Sequence, residues 1–353
     1  MYREHLSRAL KIIFREESSF DELRTAVRAM HRICSEITGI RGAIRNRSEG
    51  YETRISSGLA LSPGHAADCT LDTHRTVRYI RALDQAVKTQ LTRFPGEQLH
   101  ILYAGTGPFA PFAIALCHRY TPDEIQFTAL DLHLQSIEAL QVLTDALRLT
   151  NWFHAYTQCD ATEYEHIETH PLHIVVTETM HRTISREPQT AITLNLAPQL
   201  VEGGIFIPER VTISAAMSNL ETELSFLRGK IDKFAIQNAR VAMGPVFQLT
   251  KDYQPEFSDD ANHLICGVKK VPEFPAQHNE MVLSTHIRLY GDICIEERES
   301  AITHPCFLRD FEPLHPGDTI QFQFRLTGMP ELSCLKMVNK DIYSELEKLN
   351  VSV

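Results

Sequence analysis

The sequence has no C-x-x-C pair among its eight cysteines, which stand at 34, 69, 117, 159, 266, 294, 306 and 334. Without ligand spacing there is no expected metal centre and no dithiol redox motif, and each thiol is expected to pack as a small hydrophobe. The chain also lacks an apolar run of about 18 residues and a signal-peptide pattern, so no membrane partner is expected and the compartment is expected to be the cytoplasm. It has no basic excess either: the formal net charge is −10. That balance argues against a broad phosphate-binding surface, and nucleic acid is not an expected partner. Repeats and low-complexity tracts are missing as well. What remains is a chain of 353 residues with 43% apolar and 23% charged content, enough for two or three packed units around sizeable cores.

The first ninety-odd residues read as mostly helical. "LSRALKIIF", "FDELRTAVRAMHRICSEI" and "THRTVRYIRALDQAVKTQL" repeat apolar positions every three or four residues, with Asp21 or Thr73 as candidate caps. Between the last two, the Gly, Pro and Ser content of "ISSGLALSPGHAADC" predicts a loop. From Leu99 short apolar runs alternate with helical segments ("LHILYAG", "PFAIALCHRY", "IQFTALD", "LQSIEALQVLTDALRL", "LHIVVTE"), the pattern of crossover units on a parallel sheet. After Pro208 the runs become strand-like with turn residues between them, predicting an antiparallel barrel or sandwich. The expected domains are a helical region over 1–95, a Rossmann-like α/β domain over 96–208 and a β-barrel-like domain over 209–353.

"ILYAGTGPFAP" puts Gly105, Thr106 and Gly107 directly after the first strand of the α/β region, where a glycine turn lets backbone N–H groups approach a ligand. The next strand ends at Asp131, 26 residues beyond Gly105, a position from which an acid can accept two ribose hydroxyls. Asp160, in "QCDAT", ends the following strand, where a base can be read; Leu132 and Ala161 adjoin these acids. Such a site suits either NAD or S-adenosylmethionine; Ala110 occupies the third glycine position of G-x-G-x-x-G, which disfavours NAD.

In "VVTETMHRTISRE" two acids, Glu178 and Glu187, stand nine residues apart in a loop after a strand. A loop seldom needs two acids facing one pocket unless something cationic sits between them. With this spacing, the span from about Leu99 to Ile213 resembles the protein arginine methyltransferases, in which two glutamates nine residues apart form a double-E loop. "LNLAPQLVEGGIFIPERVTI" is similar to that family's helix, Gly turn and Pro-containing strand. Thr303 and His304 resemble its Thr-His-Trp loop, and "LHPGDTIQF" its Gly-Asp barrel turn.

The resemblance implies a seven-stranded S-adenosylmethionine domain followed by a β-barrel, with Glu178, Glu187 and His304 as catalytic groups. It implies a homodimer closed through an inserted arm, here "LRGKIDKFAIQNARV" after Phe226. Arg78, with Arg75 second, is the candidate for the cofactor carboxylate. Four departures from that family mark the chain: Tyr103 where an acid usually precedes its glycines, Phe109 for the third glycine of its own G-x-G-x-G run, Pro305 for the tryptophan, and no aromatic signature in the N-terminal helices. Inside the double-E loop, Met180, Arg182 and Arg186 are candidate substrate contacts, and an arginine there suits a substrate carboxylate; the alternative is that Arg182 and Arg186 face solvent. The expected function is therefore N-methylation of a small guanidino compound, free L-arginine first, with the N-terminal helices as a roof. The alternatives are protein arginine methylation and a non-catalytic scaffold.

Overall fold

The computed structural model describes residues 2–42, 51–166, 170–259 and 261–337. The apolar spacing of the first segment folds as a helical hairpin, α1 (Tyr2–Phe14) and α2 (Phe20–Thr38). Ser19 begins α2 with a capping box: its Oγ accepts from the Glu22 N–H at 3.3 Å, and the Glu22 carboxylate accepts from the Ser19 N–H at 2.8 Å. Asp72 caps the fourth helix, so both caps precede the expected Asp21 and Thr73.

The stretch expected to be a loop is ordered instead. It forms a hairpin, β1 (Thr53–Ile55) and β2 (Gly58–Ala60), and a short helix α3 (Pro63–Cys69) with Ser62 as its cap and Pro63 in its first turn. Small polar residues that read as breakers are here a cap and a turn. Helix α4 (Thr73–Arg93) follows.

The α/β unit runs β3 (Leu99–Ala104), α5 (Pro111–Leu116), β4 (Ile125–Asp131), α6 (Leu134–Ala146), β5 (Phe153–Gln158), β6 (Leu172–Thr177), α7 (Gln189–Leu196) and β7 (Ile205–Ile207). The strands are all parallel, in the order β5-β4-β3-β6-β7. Every residue of β3 and β6 is buried, as strands covered on both faces require. The sheet has five strands among the described residues rather than the seven expected. After β7 the chain turns at Pro208 into β8 (Arg210–Ser218), which pairs antiparallel in a different sheet.

That second region contains α8 (Leu220–Leu227), α9 (Lys233–Ala239), β9 (Val241–Thr250), β10 (His263–Lys270), β11 (Glu280–Tyr290), β12 (Ile293–Ile295), β13 (Cys306–Phe307), β14 (Thr319–Arg325) and β15 (Glu331–Lys336). It forms two antiparallel sheets, β12-β11-β8-β9 with β13 on β11, and β10-β14-β15. The Phe247 and Phe324 rings stack between them at 5.1 Å. The segment expected as one inserted helix, from Leu227 to Val241, forms only the short α9; Arg240 at its end is latched to Glu223 of the preceding α8 and to Glu297. One apolar core runs from α1, α2 and α4 through the parallel sheet into the antiparallel ones.

Candidate active site

The order of the parallel strands reverses at β3, so its C-terminal end opens a crevice between β4 and β6, the place where open α/β sheets bind ligands. A cleft of about 890 Å³, its open mouth included, lies there. Gly105, Thr106, Gly107, Asp131, Leu132, Asp160, Ala161, Glu178 and Glu187 all line it.

Gly105 and Gly107 have φ of +73° and +57°, the left-handed region that disfavours any side chain. A Cβ on Gly105 would stand 2.4 Å from Thr179 Cγ2, and one on Gly107 would stand 3.0 Å from Ala66 Cβ. The two glycines therefore let the end of β3 pass directly beneath the double-E loop and α3. The Gly107 N–H donates to Asp131 Oδ2 at 2.8 Å and the His133 N–H to Oδ1 at 2.9 Å, which fixes this buried carboxylate at the end of β4. Asp160 Oδ1 accepts from the Thr162 N–H and hydroxyl at 2.9 and 2.7 Å. Thr106 Oγ1 is buried without a hydrogen-bond partner among the described residues, a polar atom at the glycine turn still able to bond a ligand.

On the other wall, Arg75 donates from Nη1 to Glu178 Oε1 at 3.1 Å and from Nη2 to the Cys69 carbonyl at 2.7 Å. Burial pushes the Glu178 carboxyl up to about 7 even though Arg75 pulls it down. Burial, and after it the charge of Glu178, pushes Glu187 up to about 8. Two buried acids in one cleft, with one arginine already committed, form a site short of positive charge. The loop between them is strained: Thr183, Ile184 and Arg186 take φ of 56°, 55° and 68°. Such strain persists only where the surroundings enforce it, and it concentrates at binding sites.

Five sequence candidates lie elsewhere, among them Arg186, which is exposed on the loop just before Glu187. Arg78 points away from the cleft and binds the Cys294 carbonyl and the Glu299 carboxylate, leaving Arg75, one helical turn earlier, as the arginine of the cleft. Three-residue spacing put both arginines on α4, and only the packing of β12 against that helix separates them. Met180 is buried in the core rather than exposed to a substrate. Arg182 is not on the cleft wall. It lies near His181, His304 and Cys306; its charge depresses His181 after burial, and His304 after partial desolvation and the charge of Arg298. His304 is exposed and also outside the cleft wall.

The sequence reading missed the roof. Ile55, Leu59 and Leu61 of the hairpin segment and Ala66 and Cys69 of α3 line the cleft, whereas no residue of α1 or α2 does. The signal was the S-P pair at 62–63, a helix start taken for a loop. Tyr103 is at the floor, stacked on Phe112 at 5.1 Å, and leaves the cleft open; Phe109 is in the core against His31.

No protein-family model and no curated protein sequence matches the chain. Among solved structures, the chain is similar to the Trypanosoma brucei PRMT1 enzyme-prozyme heterotetrameric complex with AdoHcy: 10% identity, 76% of this chain, 96% of that one, TM-score 0.48. It is also similar to Arabidopsis thaliana protein arginine methyltransferase 10 in an open conformation, at 10% identity over 78% of this chain and 97% of that one, with a TM-score of 0.49.

Proposed function

We propose that the chain is an S-adenosylmethionine-dependent N-methyltransferase whose acceptor is a guanidino nitrogen, with free L-arginine or a small guanidino metabolite as the first candidate. The observation that carries this reading is the single cleft lined by both Gly105–Gly107 with Asp131 and the buried acids Glu178 and Glu187. The residues present fit the cofactor. The side-chain-free surface of Gly105 and Gly107, the unpartnered Thr106 hydroxyl and the anchored Asp131 carboxylate offer backbone access, a polar contact and a hydroxyl acceptor.

S-adenosylmethionine, when bound, supplies an electrophilic methyl group on a sulfonium sulfur. Asp131 would hold the ribose hydroxyls and Asp160 with its neighbours the adenine. Glu178, oriented by Arg75, and Glu187 would accept N–H bonds from the guanidinium, and its fixed charge would restore both carboxyls to the ionised state. Exclusion of water by Leu59, Leu61 and Ala66 would strengthen those bonds. Arg186, exposed on the loop directly before Glu187, would be the cation left for an acceptor carboxylate, since Arg182 is off the cleft wall. The open floor beside Tyr103 favours an enzyme over a scaffold. The segment from Leu227 to Val241, with Leu227 and Phe234 exposed, is the proposed homodimer arm.

Calorimetry with S-adenosylhomocysteine and a methyl-transfer screen read by mass spectrometry test this function. Binding, with faster turnover of free arginine than of arginine-rich peptides, is the expected result. Faster turnover of peptides makes it a protein arginine methyltransferase, and absence of cofactor binding ends the proposal. Light scattering is expected to give about twice the 40.1 kDa chain mass.

A further inference from the structure

The two acids are held in different ways. Glu178 is fixed by a side-chain ion pair with Arg75, whereas the Glu187 carboxylate has no hydrogen-bond partner among the described residues. What is fixed at Glu187 is the backbone just before it. Arg186 sits in the left-handed region at φ 68°, its N–H donating to the Pro330 carbonyl at 2.7 Å and its own carbonyl accepting from the Leu59 N–H at 2.8 Å. The Gly328 N–H donates to the Ser56 carbonyl at 2.6 Å, so the tip of the β1–β2 hairpin is tied both to the acid loop and to the β14–β15 turn. Gly58 makes the fit possible: a Cβ there would stand 2.5 Å from the Arg186 carbonyl oxygen, 3.2 Å from the Glu187 carbonyl carbon and 3.2 Å from Pro330 Cδ. At its far end the hairpin is moored to the cofactor side by a Thr53 hydroxyl to His133 Nε2 contact of 3.0 Å.

We infer that Gly58 and Leu59 are positioning residues for Glu187: the hairpin tip and the Pro330 carbonyl clamp the Arg186 peptide on both sides and thereby aim the second acid into the cleft beside Glu178. This rests on the guanidino-methyltransferase function proposed above. A non-glycine residue does not stay left-handed unaided, and here two backbone hydrogen bonds from outside the loop hold it. The clamp uses main-chain atoms of three distant segments, and the only side-chain requirement it imposes is the missing Cβ at 58.

The test uses two variants of the full chain. Gly58→Ala drives a Cβ into the Arg186 carbonyl. Leu59→Pro keeps an apolar residue but removes the N–H that Arg186 accepts, a donor that the hairpin itself does not use. Cofactor affinity is read by S-adenosylhomocysteine calorimetry, and kcat, KM and the pH profile are read on the guanidino acceptor. The expected result is wild-type cofactor affinity within about twofold and a fall in kcat of about tenfold or more. The acid limb of the profile should also move to lower pH, because Glu187 withdrawn from the cleft loses part of the burial, and after it part of the Glu178 repulsion, that raises it. Unchanged kcat and pH profile in both variants overturns the inference. Parallel loss of cofactor binding and activity in both also overturns it, since the hairpin then serves stability alone. If the wild-type chain binds no S-adenosylhomocysteine, the proposed function fails first, and this inference with it.

Discussion

Arg75 closes on Glu178 with Nη1 3.1 Å from both carboxylate oxygens, and the two side chains are only 7% and 11% exposed. A buried charge that loses its partner is costly, so Arg75→Ala is expected to remove about 3–5 kcal/mol of stability. Arg78, whose pair with Glu299 is partly open to solvent, is expected to matter far less, about 1 kcal/mol on substitution by Ala. Urea denaturation of the two variants checks this ordering, and equal losses contradict it.

The acids set a pH dependence. Glu178 and Glu187 in the folded chain stand at about 7 and about 8, above the ordinary 4.5. The folded state therefore keeps protons that the unfolded chain has released, and stability falls as pH rises from about 4.5 through 8. Glu178→Gln and Glu187→Gln cannot ionise, so each is expected to flatten this fall relative to wild type. Denaturant titrations between pH 5 and 9 measure the difference, in which titrating groups remote from the pair cancel; parallel curves would refute the assignment.

The same two variants are expected to abolish turnover while leaving S-adenosylhomocysteine affinity within about threefold, since an amide keeps the shape of the carboxylate and loses its charge. Guanidinium binding to wild type near pH 7.5 is expected to release protons, because a fixed cation ionises both acids. Calorimetry in buffers of different ionisation enthalpy reads the proton count; a count of zero means that the cation does not meet the pair.

Gly105→Ala places a Cβ 2.4 Å from Thr179 Cγ2 on a backbone at φ +73°. We expect cofactor affinity to fall about tenfold or more, and Thr179→Ser in the same chain, which deletes that methyl, to recover part of the loss. If the double variant binds no better than the single one, the clash is not the cause and backbone strain alone remains.

Local signals wrote much of this molecule directly. The period change at Leu99, the glycines after β3 and the acids ending β4, β5 and β6 are short-range facts, because a parallel sheet brings its strand ends to one edge whatever the loops do. Hence Gly105, Gly107, Asp131, Asp160, Glu178 and Glu187 could be named from spacing and are found around one cleft.

What sequence left undecided was settled by contacts between distant segments. Arg75 and Arg78 lie on one helix, and only the docking of Cys294 and Glu299 against α4 assigns one to the cleft and the other to the second region. Residues 55–69 look like a loop because the hairpin's partners, Arg186 and Gly328, are over a hundred positions away in the chain. Propensity sees neighbours along the chain, and a hairpin whose tip bonds to other segments owes its order to tertiary hydrogen bonds that no window of sequence contains. The sequence by itself therefore determined the identity and spacing of the chemical groups. Tertiary structure alone decided which arginine meets Glu178, what covers the cleft and how Glu187 is aimed, because each depends on a peptide or charge brought in from elsewhere in the chain.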